Sequence, residues 1–211
     1  MFELLPDIDC NLCPRLKDFI NDNRQKFPDK YNAPVPSFGS QNAEFLIVGL
    51  APGLKGANFS GRPFTGDYAG DLLYATLLKF SFASGEYKAR KDDGLELVNA
   101  RITNAVKCVP PQNKVTGDEI NTCLQFLKAE MATMPKLKII LSLGLVSHKA
   151  VLKATGHKQS AFKFAHNVCH DLGDDLTLID SYHCSRYNTN TKRLTTEMFE
   201  DVFKTISMHL T

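Results

Sequence analysis

Apolar positions along this chain alternate between unbroken runs, as in strands buried on both faces, and the three- and four-residue spacing of helices. Residues 44–50 (EFLIVGL) predict a buried strand, which runs into the Gly- and Pro-rich stretch APGLKGANFSGRPFTGD. Leu73, Leu77 and Phe80 are spaced for a helix over 69–82. A second strand is expected over 102–109, ended by Pro110 and Pro111. A helix should begin at Thr116, because Thr116 and Glu119 have the spacing of a capping box. Residues 137–143 (LKIILSL) predict the third strand, followed from Gly144 by a helix that ends near Gly156. The fourth strand is expected over 176–182. The last helix starts near Thr195, with Met198, Val202, Phe203, Ile206 and Leu210 on one face.

Strands separated by helices imply right-handed βαβ units and a parallel sheet covered on both faces, an α/β fold. No internal repeat, low-complexity tract or linker interrupts the pattern, so a single domain over 1–211 is expected. Ligands of such sheets sit beyond the carboxyl ends of the strands. Three unusual polar segments fall there: residues 49–71, 104–112 and 183–195.

The composition narrows the function classes. A hydrophobic fraction of 43% is enough for a sizeable core, and no apolar run approaches the roughly 20 residues of a membrane span. The start MFELLPDIDC lacks the features of a secretory signal, so a cytoplasmic protein is expected. A net charge of +2 does not argue for nucleic acid by itself, although it permits a local basic surface. The glycine-rich stretch contains neither G-K-[ST] nor G-x-G-x-x-G, which demotes enzymes using nucleotide cofactors. Of six cysteines, Cys10 and Cys13 form C-x2-C before a helix, and Cys108 and Cys123 form C-x14-C. Four thiolates from two distant segments suit an iron–sulfur cluster or a structural zinc. The plainer reading makes them small buried hydrophobes. Cys169 reads as a loop or core thiol.

Three segments together, GLAPGLKGANFSGRPFTGD (49–67), ITNAVKCVPP (102–111) and SYHCSRYNTNTKRLT (181–195), resemble the uracil-DNA glycosylase superfamily. Within it the chain is most similar to the fifth, iron–sulfur family (type b), with GLAP where the fourth has GEAPG. The resemblance implies a three-layer αβα sandwich around a four-stranded parallel sheet. It implies a 4Fe–4S cluster on Cys10, Cys13, Cys108 and Cys123, and hydrolytic removal of uracil or another deaminated base from DNA. Phe64 matches the aromatic that stacks on the extruded base, Asn104 the residue reading its polar edge, and His183 the histidine of H-P-S. Ala51 and Gly53 fall in the base-binding segment. Leu50 and Ala51 stand where many superfamily members carry a water-polarising Asp or Asn, so the burden passes to Asp67, or failing that Asp71. Asp67 also reads as a helix N-cap. Cys184 replaces the usual proline, which is expected to loosen the loop after it. That loop carries Ser185, Arg186, Tyr187, Lys192 and Arg193 for DNA contacts. A monomer working on DNA in the cytoplasm, at the nucleoid in a prokaryote, is expected. Two alternatives remain open: a non-catalytic iron–sulfur nucleic-acid-binding protein of this fold, and a zinc-stapled α/β hydrolase of small nucleotides.

Overall fold

The computed structural model describes residues 5–210, leaving Met1–Leu4 of the N-terminal reading outside it. In chain order the elements are α1 (Pro14–Lys26), β1 (Phe38–Gly39), β2 (Phe45–Gly49), α2 (Ala57–Ser60), α3 (Tyr68–Lys79), β3 (Ala83–Ser84), β4 (Glu96–Leu97) and β5 (Ala100–Asn104). They continue with α4 (Gly117–Ala132), β6 (Ile139–Leu143), α5 (Leu145–Ala154), β7 (Cys169–Asp171), β8 (Thr177–Ser181), α6 (Arg186–Asn190) and α7 (Thr196–Leu210).

The main sheet has the order β1-β5-β2-β6-β8-β7. Its central strands β5, β2, β6 and β8 are parallel, as expected. The expectation of a purely parallel, four-stranded sheet is corrected at the edges, where β1 and β7 pair antiparallel. They are two and three residues long, too short to leave a periodic signal.

The unbroken apolar run of β2 follows from burial on both faces. Phe45 and Ile47 point to one core with Leu73 and Leu77 of α3 and Phe199 and Phe203 of α7. Leu46 and Val48 point to the other, with Leu124 and Leu127 of α4 and Val151 and Leu152 of α5. These are the three layers. The capping box at Thr116 forms: Glu119 N–H donates to Thr116 Oγ1 at 3.3 Å, and Thr116 N–H to Glu119 Oε2 at 2.8 Å.

The second strand starts earlier and stops sooner than expected, at Asn104. Beyond it, the N–H groups of Ala105 and Val106 donate to Gly49 O and Leu50 O, both at 2.9 Å, and the chain then leaves the sheet. Val106, Cys108 and Val109 enter a third core with Leu16 and Ile20 of α1 and Cys123 and Phe126 of α4. Val106, Cys108 and Val109 therefore serve a separate small core. No helix among the described residues is long and apolar enough to cross a membrane.

Candidate active site

A cleft of about 550 Å³ opens beyond the carboxyl ends of the central strands. The three polar segments supply its lining, including Ala51, Gly53, Phe64, Asp67, Asn104, His183, Ser185 and Arg186.

Asn104 ends β5 and is 3% exposed. Its side-chain amide has no hydrogen-bond partner among the described residues. The amide lines the cleft, where its donor and acceptor are open to solvent or to a ligand. His183 stands two residues past the end of β8, its ring 6.1 Å from that of Phe64 and 30° from parallel. Neither imidazole nitrogen is bonded among the described residues, and burial lowers its pKa to about 4. The ring is therefore neutral near pH 7 and carries one N–H to donate.

Phe64 holds a left-handed backbone, φ 54°, which is strained for a bulky residue. The bend is braced by Arg62, whose guanidinium bonds both oxygens of Asp93 at 2.8 Å and Thr65 Oγ1 at 2.7 Å. The same guanidinium lies over the rings of Phe38, Tyr74 and Tyr87, at 5.1 to 5.7 Å from their centroids. Gly49 at the end of β2 lets this wall close in. A Cβ there would come within 2.4 Å of Asn104 Oδ1 and 2.6 Å of the Phe64 ring.

Asp67 is the N-cap of α3, its Oδ1 accepting from Gly70 N–H at 3.0 Å. Its Oδ2 packs on the turn after β2, where a Cβ on Gly56 would approach it to 2.5 Å. One oxygen caps while the other faces the glycine turn of the cleft. Burial raises the Asp67 pKa, only partly offset by the Gly70 N–H bond. Asp71 is exposed and lines a neighbouring depression with Leu72, Thr189 and Glu197 instead.

Cys184 is fully buried, and its S–H donates to Ala69 O at 3.4 Å, tying His183 to the start of α3. Ser185 caps α6, accepting from Asn188 N–H at 3.4 Å, while Asn188 Nδ2 donates to His183 O at 2.8 Å. Arg186 lies over the Tyr68 ring at 5.2 Å, and Tyr187 is 72% exposed beside the cleft. Lys192 and Arg193 do not line the cleft: Lys192 occupies an exposed turn and Arg193 stacks on Tyr182 at 4.7 Å.

Cys10, Cys13, Cys108 and Cys123 line one small hollow with Leu16, Val106 and Phe126. All four are free thiols. Burial pushes the Cys108 and Cys123 thiols up, Cys123 to about 11. Cys169 is exposed on β7.

Sequence reasoning missed several contributors. Arg62 and Asp93 meet only through the tertiary fold. Asn113, which also lines the cleft, falls just beyond the polar segment 104–112 that contains Pro110.

The sequence model of the Uracil DNA glycosylase superfamily matches residues 36–207. A type-5 uracil-DNA glycosylase of Thermus thermophilus is 39% identical over 198 residues, which cover 92% of this chain and 90% of that protein. One from Pyrobaculum aerophilum is 35% identical, covering 93% of this chain and 87% of its own. A type-4 uracil-DNA glycosylase of the same organism is 31% identical over 71% of this chain and 70% of its own.

Proposed function

This chain belongs to the uracil DNA glycosylase superfamily, and from that premise we propose that it removes uracil from DNA by hydrolysing the bond between base and sugar. The observation that carries the assignment is the pair of unspent polar groups, Asn104 and His183, beside Phe64 in the cleft. A flipped uracil stacks on Phe64, while the Asn104 amide accepts from N3–H and donates to O4. The backbone around Ala51 and Gly53 supports the base from the opposite segment.

As the C1′–N1 bond breaks, its electrons go to the base and the sugar gains oxocarbenium character. His183, neutral by burial, donates its N–H to O2 and stabilises the uracil anion. Asp67 sets negative charge near the sugar, orients the water that adds to C1′ and accepts the proton that this water loses. Ala51, having no polar side chain, takes no part in activating that water. Ser185 and Arg186 hold phosphates at the rim, Lys192 and Arg193 extend that contact, and Tyr187 fills the gap left by the base. The enzyme acts as a monomer on DNA in the cytoplasm, and other deaminated bases fit the same donor and acceptor pattern.

The cysteine hollow fits a 4Fe–4S cluster. Its donor set is four thiols in an apolar lining. Cys10, Cys13, Cys108 and Cys123 would hold the cluster, which would staple α1 and α4 to the segment after β5. Protein purified without oxygen should be brown and contain about four irons per chain. The activity test is single-turnover release of uracil from a defined duplex, with loss of the Asn104 amide in Asn104→Ala as the control. Tight binding of uracil-containing DNA with no base release would replace this reading by a non-catalytic binding protein.

A further inference from the structure

On the far side of the sheet lies a second cluster of ligand-type side chains that base excision does not use. His148 of α5, His170 of β7 and Asp180 of β8 bring their ligand atoms within 4.8 Å of one another. The two imidazoles approach different oxygens of one carboxylate: His148 Nδ1 lies 2.8 Å from Oδ1, and His170 Nε2 2.9 Å from Oδ2. Asp180 is completely buried and His148 is 2% exposed.

We propose that His148, His170 and Asp180 bind one divalent transition-metal ion of the zinc class, apart from the cysteines. Two imidazoles and a carboxylate suit such a borderline cation better than magnesium or calcium, which favour oxygen donors throughout. Asp180 turns one oxygen to each imidazole, so the three residues hold up to four donor atoms around one point.

The surroundings support the same assignment. A metal-bound histidine usually donates its other ring N–H to a carbonyl or carboxylate, which fixes the ring. His148 Nε2 does so to Phe162 O at 3.1 Å. A ligating carboxylate is likewise hydrogen-bonded from behind, and Ser142 Oγ donates to Asp180 Oδ1 at 2.6 Å. The rings of Phe164 and Phe162, 5.6 Å from His148 and 5.7 Å from His170, shield the group from water. His170 lies on the edge strand β7, with its side chain 9% exposed. The ion would join α5, β7 and β8 three residues before His183. Its role is structural, fixing the strand that presents that histidine.

The test uses the protein purified without oxygen, equilibrated with Zn(II) and then dialysed free of excess. Wild type should retain about one zinc per chain beside its iron, and its melting temperature should rise with zinc concentration. His170→Asn should lose both the retained zinc and the zinc-dependent rise while keeping its iron. Should that variant fold poorly, Co(II) added to wild type decides alone. A Co(II) spectrum without a thiolate charge-transfer band supports the site, and one with that band places the metal on cysteine and overturns it. Failure of wild type to retain zinc, or equal retention by folded His170→Asn, also overturns it and leaves a hydrogen-bonded network.

Discussion

Asn104 and Lys107 are three residues apart, both buried, and yet their polar groups are treated in opposite ways. The Lys107 ammonium is spent within the protein: it pairs with Glu130 and donates to Ser37 Oγ and Thr103 Oγ1. Glu130 in turn accepts from Ser37 Oγ and Arg101 Nε. The Asn104 amide and the His183 ring bond to none of the described residues. The difference separates structure from function. A buried polar network that closes on itself holds the fold together, whereas polar groups left open to a cleft are free to bind solvent or a ligand.

The largest effect should come from breaking the closed network. Glu130→Ala leaves Lys107 and Arg101 buried without their shared counter-charge, and removing one partner of such a group typically costs about 3–5 kcal/mol. Denaturant unfolding should show that loss. Uracil release per folded molecule should change little, because Glu130 does not line the cleft. A folded Glu130→Ala protein with normal stability and no excision would reverse the comparison.

His183→Ala should do the opposite. Loss of a preorganised donor typically slows the chemical step roughly 10²–10³-fold, and no bond within the described protein is lost with the ring. Unfolding midpoints should stay near wild type while single-turnover release falls. Equal losses of rate and stability would mark His183 as structural.

The same distinction explains how much could be read from the sequence. The four central strands and the longer helices follow from hydrophobic period, because each buries one or two continuous faces. The short edge strands β1 and β7 do not. The run Val106–Val109 was read as strand because period alone cannot tell a sheet from a separate small core. Phe64, Asp67, Asn104 and His183 were legible as candidates from their motifs, and the fold brings all four to one cleft. What holds them was not. The Arg62–Asp93 pair spans 31 residues, and the need for glycine at 49 and 56 depends on side chains that arrive from other elements. The burial of Cys184 against Ala69 was not legible either, because that contact is tertiary.

Asp67 belongs to both classes, since one oxygen caps α3 and the other faces the cleft turn. Burial raises its pKa, so folding disfavours its ionised form. That cost is present at neutral pH, shrinks as pH falls through the raised folded pKa and is gone below the ordinary unfolded value. Asp67→Asn keeps a capping oxygen and removes the charge. It should be at least as stable as wild type at neutral pH, with the difference vanishing in acid. Excision should slow by roughly 10²-fold, the lower end for a positioned base. Wild-type excision should fall with acidification through the raised Asp67 pKa. That limb should be absent from Asp67→Asn. If Asp67→Asn excises normally and Asp71→Asn does not, Asp67 is a cap alone and the exposed carboxylate is the functional one.

The smallest effects concern the rim, where closed and open groups grade into one another. Arg186 lines the cleft and rests on Tyr68, so its charge is presented where a phosphate beside a flipped nucleotide would lie. Lys192 sits beyond α6 on an exposed turn, outside the cleft lining. Each cation that neutralises a phosphate should contribute about 0.9 to the slope of log affinity against log salt on duplex DNA. Arg186→Ala should therefore flatten that slope by about one and weaken binding similarly on all sequences. Lys192→Ala should do the same only if DNA continues past α6. An unchanged slope in Lys192→Ala beside a reduced one in Arg186→Ala would end the DNA track at that short helix. An unchanged slope in both would mean that the third segment contributes a base-facing histidine and no phosphate contact through either residue. The measurement needs only binding to an uncleaved duplex over a salt series, so it is independent of whether the bond is cut.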